Sequence, residues 1–192
     1  MYKRQPYDIQ ITSQKGVGND CYPSPFVGQN LEVTGVVTAV RPDDQFPNFF
    51  IQDPQKKEWA GIFVYIPSNY KPPPVGTLVE LTADIKEYFG LTELANISKT
   101  VEISYDNIIE PVSIKSNALS NGCSFEGEVY EGMLVTIKNI SVSATKNDKD
   151  QFFVQDSLNN QVIVDPYLYQ GNWPSPKMGQ VFDSITGIVP VS

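Results

Sequence analysis

The pentapeptide Phe49-Phe50-Ile51-Gln52-Asp53 returns 103 residues later as Phe152-Phe153-Val154-Gln155-Asp156. Its flanks return with it. Val27-Gly28-Gln29-Asn30-Leu31 is matched by Tyr130-Glu131-Gly132-Met133-Leu134, and Val75-Gly76-Thr77-Leu78 by Met178-Gly179-Gln180-Val181. Three landmarks near one offset in a 192-residue chain imply two copies of one small domain; a solenoid would repeat at about 20–50 residues. What both copies keep reads as architecture. What only one carries is the candidate for function.

Each copy has the signature of short strands. Fifteen prolines and thirteen glycines punctuate segments rich in Val, Ile, Thr, Tyr and Phe, which favour strands and turns over helices. In the first copy the alternation predicts strands at Leu31–Val40, Asn48–Gln52, Gly61–Tyr65, Leu78–Glu87 and Leu91–Ile103, with Gly35 as a bulge or bend and Tyr88-Phe89-Gly90 as a tight turn. Tyr7–Thr12 reads as a further short strand. Ser13–Ser24 reads as a loop.

The second copy predicts Met133–Ala144, Gln151–Gln155, Gln161–Val164 and Phe182–Val189, with no fifth strand before Ser192. Either that strand is missing, or a segment such as Tyr7–Thr12 completes the set. Five strands in about 80 residues suit a small Greek-key barrel of the OB type. An immunoglobulin-like sandwich would need about seven. The expected fold is therefore all-β: two tandem five-stranded OB-like barrels, the first over residues 6–113 and the second, lacking its last strand, over 114–192. Met1-Tyr2-Lys3-Arg4-Gln5 looks like a translated library adapter, so residues 1–5 are left out of the fold expectation.

Composition narrows the chemistry. At 41% hydrophobic and 19% charged the chain has an ordinary globular balance, and no apolar run is long enough to span a bilayer. There is no histidine, so the commonest general base and the commonest metal ligand are missing. No phosphate-binding glycine loop, nucleophile elbow or zinc-ligand spacing occurs, and the chain by itself reads as non-catalytic. A net charge of -8 argues against binding driven by phosphate neutralisation.

Strand alternation then separates two faces of the repeated pentapeptide. Phe49 and Ile51 point to one side with Ile62 and Val64, as Phe152 and Val154 do with Val162 and Val164; these are the barrel interior. Phe50, Gln52, Phe63 and Tyr65 are outer positions in the first copy. Their counterparts in the second include Ile163 and Asp165. The outer face of strands 2 and 3 is where OB folds bind oligonucleotides, and aromatic stacking tolerates any base sequence. The first copy is thus expected to present Phe50, Gln52, Phe63 and Tyr65, with Arg41, Lys56, Lys57 and Trp59 on adjoining loops. The opposing reading is that Phe50 and Phe63 pack against the proline-rich connection or the second barrel. The acids at Asp43-Asp44 and Asp148–Asp150 read as solvated hairpin tips rather than calcium sites.

These segments resemble the OB-fold region of secreted, sugar-nonspecific bacterial nucleases. The resemblance rests on Thr34-Gly35-Val36-Val37-Thr38-Ala39-Val40, Phe49 to Asp53, Gly61-Ile62-Phe63-Val64-Tyr65 and Glu87-Tyr88-Phe89-Gly90-Leu91-Thr92-Glu93-Leu94. In the second copy Tyr130 to Val135 and Thr186-Gly187-Ile188-Val189 carry it, and it covers about Asp8 to Val189. It implies a secreted or cell-surface, bacterial, non-catalytic module that holds single-stranded DNA or RNA weakly for a covalently linked endonuclease/exonuclease domain. Any divalent metal would belong to that separate domain, with no cofactor and no membrane partner here. A structural spacer, or a protein- or glycan-interaction module, is the alternative. In a secreted protein, Cys21 and Cys123, each placed before the first strand of its copy, suggest a disulfide; two unpaired thiols remain the other possibility.

Overall fold

A computed structural model describes residues 3–17, 21–41, 43, 45–66, 70–120 and 122–189. A short helix α1 (Pro6–Gln10) is followed by β1 (Asn30–Val40), β2 (Phe49–Gln52), β3 (Gly61–Val64), β4 (Leu78–Tyr88) and β5 (Leu91–Ser104). These strands close into a barrel in the order β1-β2-β3-β5-β4, with β1 also paired to β4. All contacts are antiparallel except β3 with β5, where Phe63 and Val64 run parallel to Glu93 and Leu94. The interior is Val33, Val37, Phe49, Ile51, Ile62, Val64, Val79, Leu81, Ala83, Ile85 and Leu94, and Ile9 from α1 joins it.

The second half contributes β6 (Val112–Ser113), a 3-10 turn at Ser116–Leu119, α2 (Phe125–Glu128), β7 (Leu134–Ala144), β8 (Phe152–Gln155), β9 (Gln161–Val164) and β10 (Val181–Ile188). They form a second five-stranded sheet, ordered β10-β7-β8-β9, with β6 laid parallel against β7. The chain is all-β, as its punctuation implied. Among the described residues nothing joins β9 to β10, so this sheet is open where β5 closes the first. The loss is visible on β10, largely exposed along its length, whereas its counterpart β4 buries every second residue from Val79 to Ile85.

Duplication extends to irregular details. Each first long strand has a bulge just before its end, between Val37 and Ala39 and between Val142 and Ala144. The Gly76 N–H donates to the Val37 carbonyl and the Gly179 N–H to the Val142 carbonyl, both at 2.9 Å. The bulge therefore falls at Thr38 rather than at Gly35. Gly35 serves a different purpose: a side chain there would meet Ile51 at 3.2 Å.

One expectation fails at the N-terminus. Tyr7–Thr12 is not a strand and completes no barrel. Pro6 at the first helical position has its φ preset for a helix, and the Asp8 carboxylate accepts the Gln5 N–H at 2.9 Å, so the chain turns helical instead. Lys3, Arg4 and Gln5 are also part of the fold; Met1 and Tyr2 lie outside the described residues. Arg4 lies parallel to β1, donating its N–H to Glu32 and accepting from Thr34, on the side of β1 that β6 occupies on β7. Its guanidinium sits 4.9 Å from the Phe26 ring. Each unit thus begins with a segment paired in parallel to its first long strand, followed by a helical turn.

Candidate functional site: the seam between the two units

The outer face of β2 and β3 does not face water. Phe50 and Phe63 are 6% and 8% exposed, with ring centroids 5.1 Å apart, and Gln52 is equally buried. One end of this face carries a cluster of contacts to the second unit. The Leu134 N–H donates to Gln52 Oε1 at 2.9 Å, the Trp59 N–H to the Val129 carbonyl at 2.6 Å, and the Ala60 N–H to Met133 Sδ at 3.4 Å. Gly61 lies so close to Gly132 that a Cβ on it would stand 2.1 Å from the Gly132 carbonyl carbon. Only two facing glycines allow that approach. Ala60, Met133, Val135 and Val189 form a small apolar core across the join.

The expected binding face is consequently an interface, and four assignments change. Phe50, Gln52 and Phe63 are covered, and Trp59 is 7% exposed with its indole edge-on to Phe125. The second unit meets Gln52 through Leu134 and Trp59 through Val129 and Phe125, while Phe50 and Phe63 pack on each other. Of the remaining residues, Lys56 stands 4.3 Å over the Tyr7 ring, Lys57 is exposed, and Tyr65 is 41% exposed. The two lysines do not join the aromatic face.

At the other end of the same face the seam opens. The sheet register puts Arg41 beside Asn48, whose carbonyl accepts the Arg41 N–H at 2.8 Å. Asn48 Oδ1 accepts from the Ile66 N–H at 3.0 Å, so Tyr65 begins the same outer row one strand further on. The Arg41 guanidinium lies 4.5 Å from the ring centre of Tyr167 in the second unit and 6.0 Å from Phe46 in its own, and it pairs with Asp43 at 2.9 Å. Tyr169 meets Trp173 edge-on at 5.0 Å, and Trp173 leans on Phe152 of the second core. Phe46, Tyr65, Tyr167 and Tyr169 are each more than 40% exposed. Arg41 thus lies among exposed aromatic rings at the seam, and Tyr65 is the other predicted residue left exposed along this row.

Phe46, Tyr167, Tyr169 and Trp173 went unread in the sequence because they lie on loops that strand alternation does not reach. A denser signal was present. Tyr167, Tyr169 and Trp173 fall within seven residues, in a connection whose counterpart in the first copy is rich in proline. Loop aromatics of this kind combine apolar faces with polar edges, and a guanidinium over a ring adds about 0.5–1 kcal/mol at an exposed site. The arrangement can stack flat rings and hydrogen-bond their edges.

Two ionisable groups along the face are displaced by burial. Glu93, opposite Phe63 in the parallel register, has its carboxyl raised by desolvation, offset in part by Lys86. The Tyr130 phenol is raised by burial and then by Glu58. Among the described residues no group of three or more His, Cys, Asp or Glu side chains is placed to hold a metal ion, and no helix is long and apolar enough to cross a membrane. Asp43 caps a turn through the Gln45 N–H, Asp150 pairs with Lys146, and Asp44 lies outside the described residues.

The cysteines do pair. Cys21 and Cys123 form a disulfide with Cα atoms 5.5 Å apart, tying the loop before β1 to the turn before α2. In comparisons with known proteins, neither a protein-family model nor a curated protein matches the chain.

Proposed function

We propose that this chain is a non-catalytic, OB-type module of a secreted bacterial nuclease, which holds single-stranded nucleic acid weakly at the open end of the seam. The observation that carries this reading is the exposed aromatic group around Arg41, built from both units. The strand order β1-β2-β3-β5-β4 supports an OB-type first barrel, and in such barrels the strand 2–3 face and the loop joining strands 1 and 2 are the usual ligand surface. Arg41 and Phe46 lie on that loop. Because Asp43 already engages Arg41 and the chain is acidic, stacking rather than phosphate pairing dominates the contact.

Titrating labelled oligothymidylate at several salt concentrations tests this. Weak binding with a shallow salt dependence is expected, reduced by about 1–3 kcal/mol for each ring removed in Phe46→Ala and Tyr167→Ala. Absence of binding at low salt would sink it.

A second reading has its own support. Contact of Gln52 and Trp59 with the second unit suits a spacer that sets the distance to a linked domain. Under that reading both alanine variants behave like the parent in every binding assay.

A further inference from the structure

Glu131 lies one residue before the Gly61–Gly132 contact, and its side chain turns back onto the first barrel, where only 4% of it remains exposed. From α1, the Gln10 amide donates to Glu131 Oε1 at 3.4 Å and to the Gly61 carbonyl at 3.0 Å. From β5, the Thr92 main chain acts favourably on the carboxylate. The second oxygen, Oε2, has no hydrogen-bond partner among the described residues.

The charged groups acting on Glu131 are both acids: Glu128 from α2 and Glu87 from β4. Glu87 Oε2 accepts from the Thr92 hydroxyl at 2.8 Å, and Glu128 Oε1 lies 2.9 Å from Sγ of Cys21. Glu93, next along β5, is a further buried acid.

Desolvation first, and then the two like charges, hold the Glu131 carboxyl well above the usual glutamate range. Neutral, it fits an interface made of amides and hydroxyls. Ionised, it is a buried charge facing other acids, and separating the two units relieves it by admitting water.

We propose that the seam is a proton-operated latch: it stays closed while the Glu131 carboxyl is neutral and opens when that carboxyl ionises, with the Cys21–Cys123 bridge keeping the parted units tethered. Opening uncovers Trp59, whose indole meets Phe125 and whose N–H meets Val129, so a ring that the closed form hides becomes available for stacking. The direction follows from linkage. A carboxyl that binds its proton more tightly in the closed form contributes its stabilisation in full below the ordinary glutamate range. That contribution is lost as pH rises through the raised value.

The test is hydrogen exchange of the full, oxidised chain between about pH 4 and pH 8, corrected for intrinsic rates. Protection of the Trp59, Ala60 and Leu134 amides, which report the seam, falls by about tenfold or more with rising pH, one factor of ten per unit of pKa difference. The Val33 and Leu81 amides inside the barrel hold steady. Glu131→Gln keeps the seam protected throughout. Glu87→Gln, which removes one like charge, moves the fall to lower pH and serves where Glu131→Gln does not fold. Seam protection independent of pH in the parent, an unchanged fall in Glu131→Gln, or an unmoved fall in Glu87→Gln would each overturn the latch.

Discussion

The two copies of Phe-Phe-Xaa-Gln-Asp occupy the same strand of the same arrangement, but their outer faces meet different surroundings. In β2 and β3 every residue is buried, whereas β8 and β9 alternate, with Ile163 56% exposed. The difference teaches that a barrel's outer face is not the protein's outer face. Closing the first sheet with β5 gives one continuous interior, and its outer face meets the second unit at Gln52 and Trp59. The open second sheet has a smaller interior and keeps its exterior in water.

The largest expected effect tests what holds the units together. Replacing both cysteines by serine releases a loop of 102 residues, which the chain-entropy model values at about 4–5 kcal/mol. Urea unfolding then separates into two transitions, the first barrel melting last. A single transition with an unchanged midpoint would mean that the bridge adds nothing to the contacts at Gly61 and Gln52.

Paired core truncations come next. Phe49→Ala costs about 3–5 kcal/mol by chemical denaturation, since the closed barrel cannot collapse into the space. Phe152→Ala costs at least about 1 kcal/mol less, because an open sheet relaxes around the gap. Equal losses would break the comparison between closed and open sheets.

A smaller effect sharpens the comparison of exteriors. Gly61→Ala forces a methyl group into the Gly132 backbone and costs about 1–3 kcal/mol. Gln161, which begins β9 as Gly61 begins β3, is exposed, and Gln161→Ala changes stability by less than about 0.5 kcal/mol in the same measurement.

The smallest concerns the turn after each pentapeptide. Asp53 accepts one main-chain N–H, from Gln55, while Asp156 accepts those of Leu158 and Asn160 and the Asn160 amide. Asp156→Ala therefore costs about 1 kcal/mol. The Asn160 amide and these N–H groups hold the Asp156 carboxyl below the usual range. Its contribution is thus present at neutral pH and fades as pH falls through the lowered value, the opposite sense to Glu131. A melting temperature that drops equally at both pH extremes in Asp156→Ala would contradict that.

Much of the fold was legible because strand interiors repeat with period two: Phe49, Ile51, Ile62 and Val64 were identifiable as core from alternation alone. The seam was not, although its trace was present. Ile62-Phe63-Val64-Tyr65-Ile66 is continuously apolar, the pattern of a strand covered on both faces, while Val162-Ile163-Val164 is followed by Asp165. The alternative that Phe50 and Phe63 pack against another part of the chain fits that run and their burial. The aromatic cluster at Arg41 was out of reach for another reason. Phe46 and Tyr167 are 121 residues apart, and only the docking of the two units brings the loops that bear them to one guanidinium.

The closed strand order has a consequence for synthesis. Every strand of the first barrel has been made once Ser104 is added, but Leu134, whose N–H meets Gln52 across the seam, follows thirty residues later. At roughly 5–20 residues per second, the Gln52 amide of the nascent barrel waits roughly two to six seconds for that partner. Cys123 is translated within that interval, so oxidation can begin to secure the seam as it is being made.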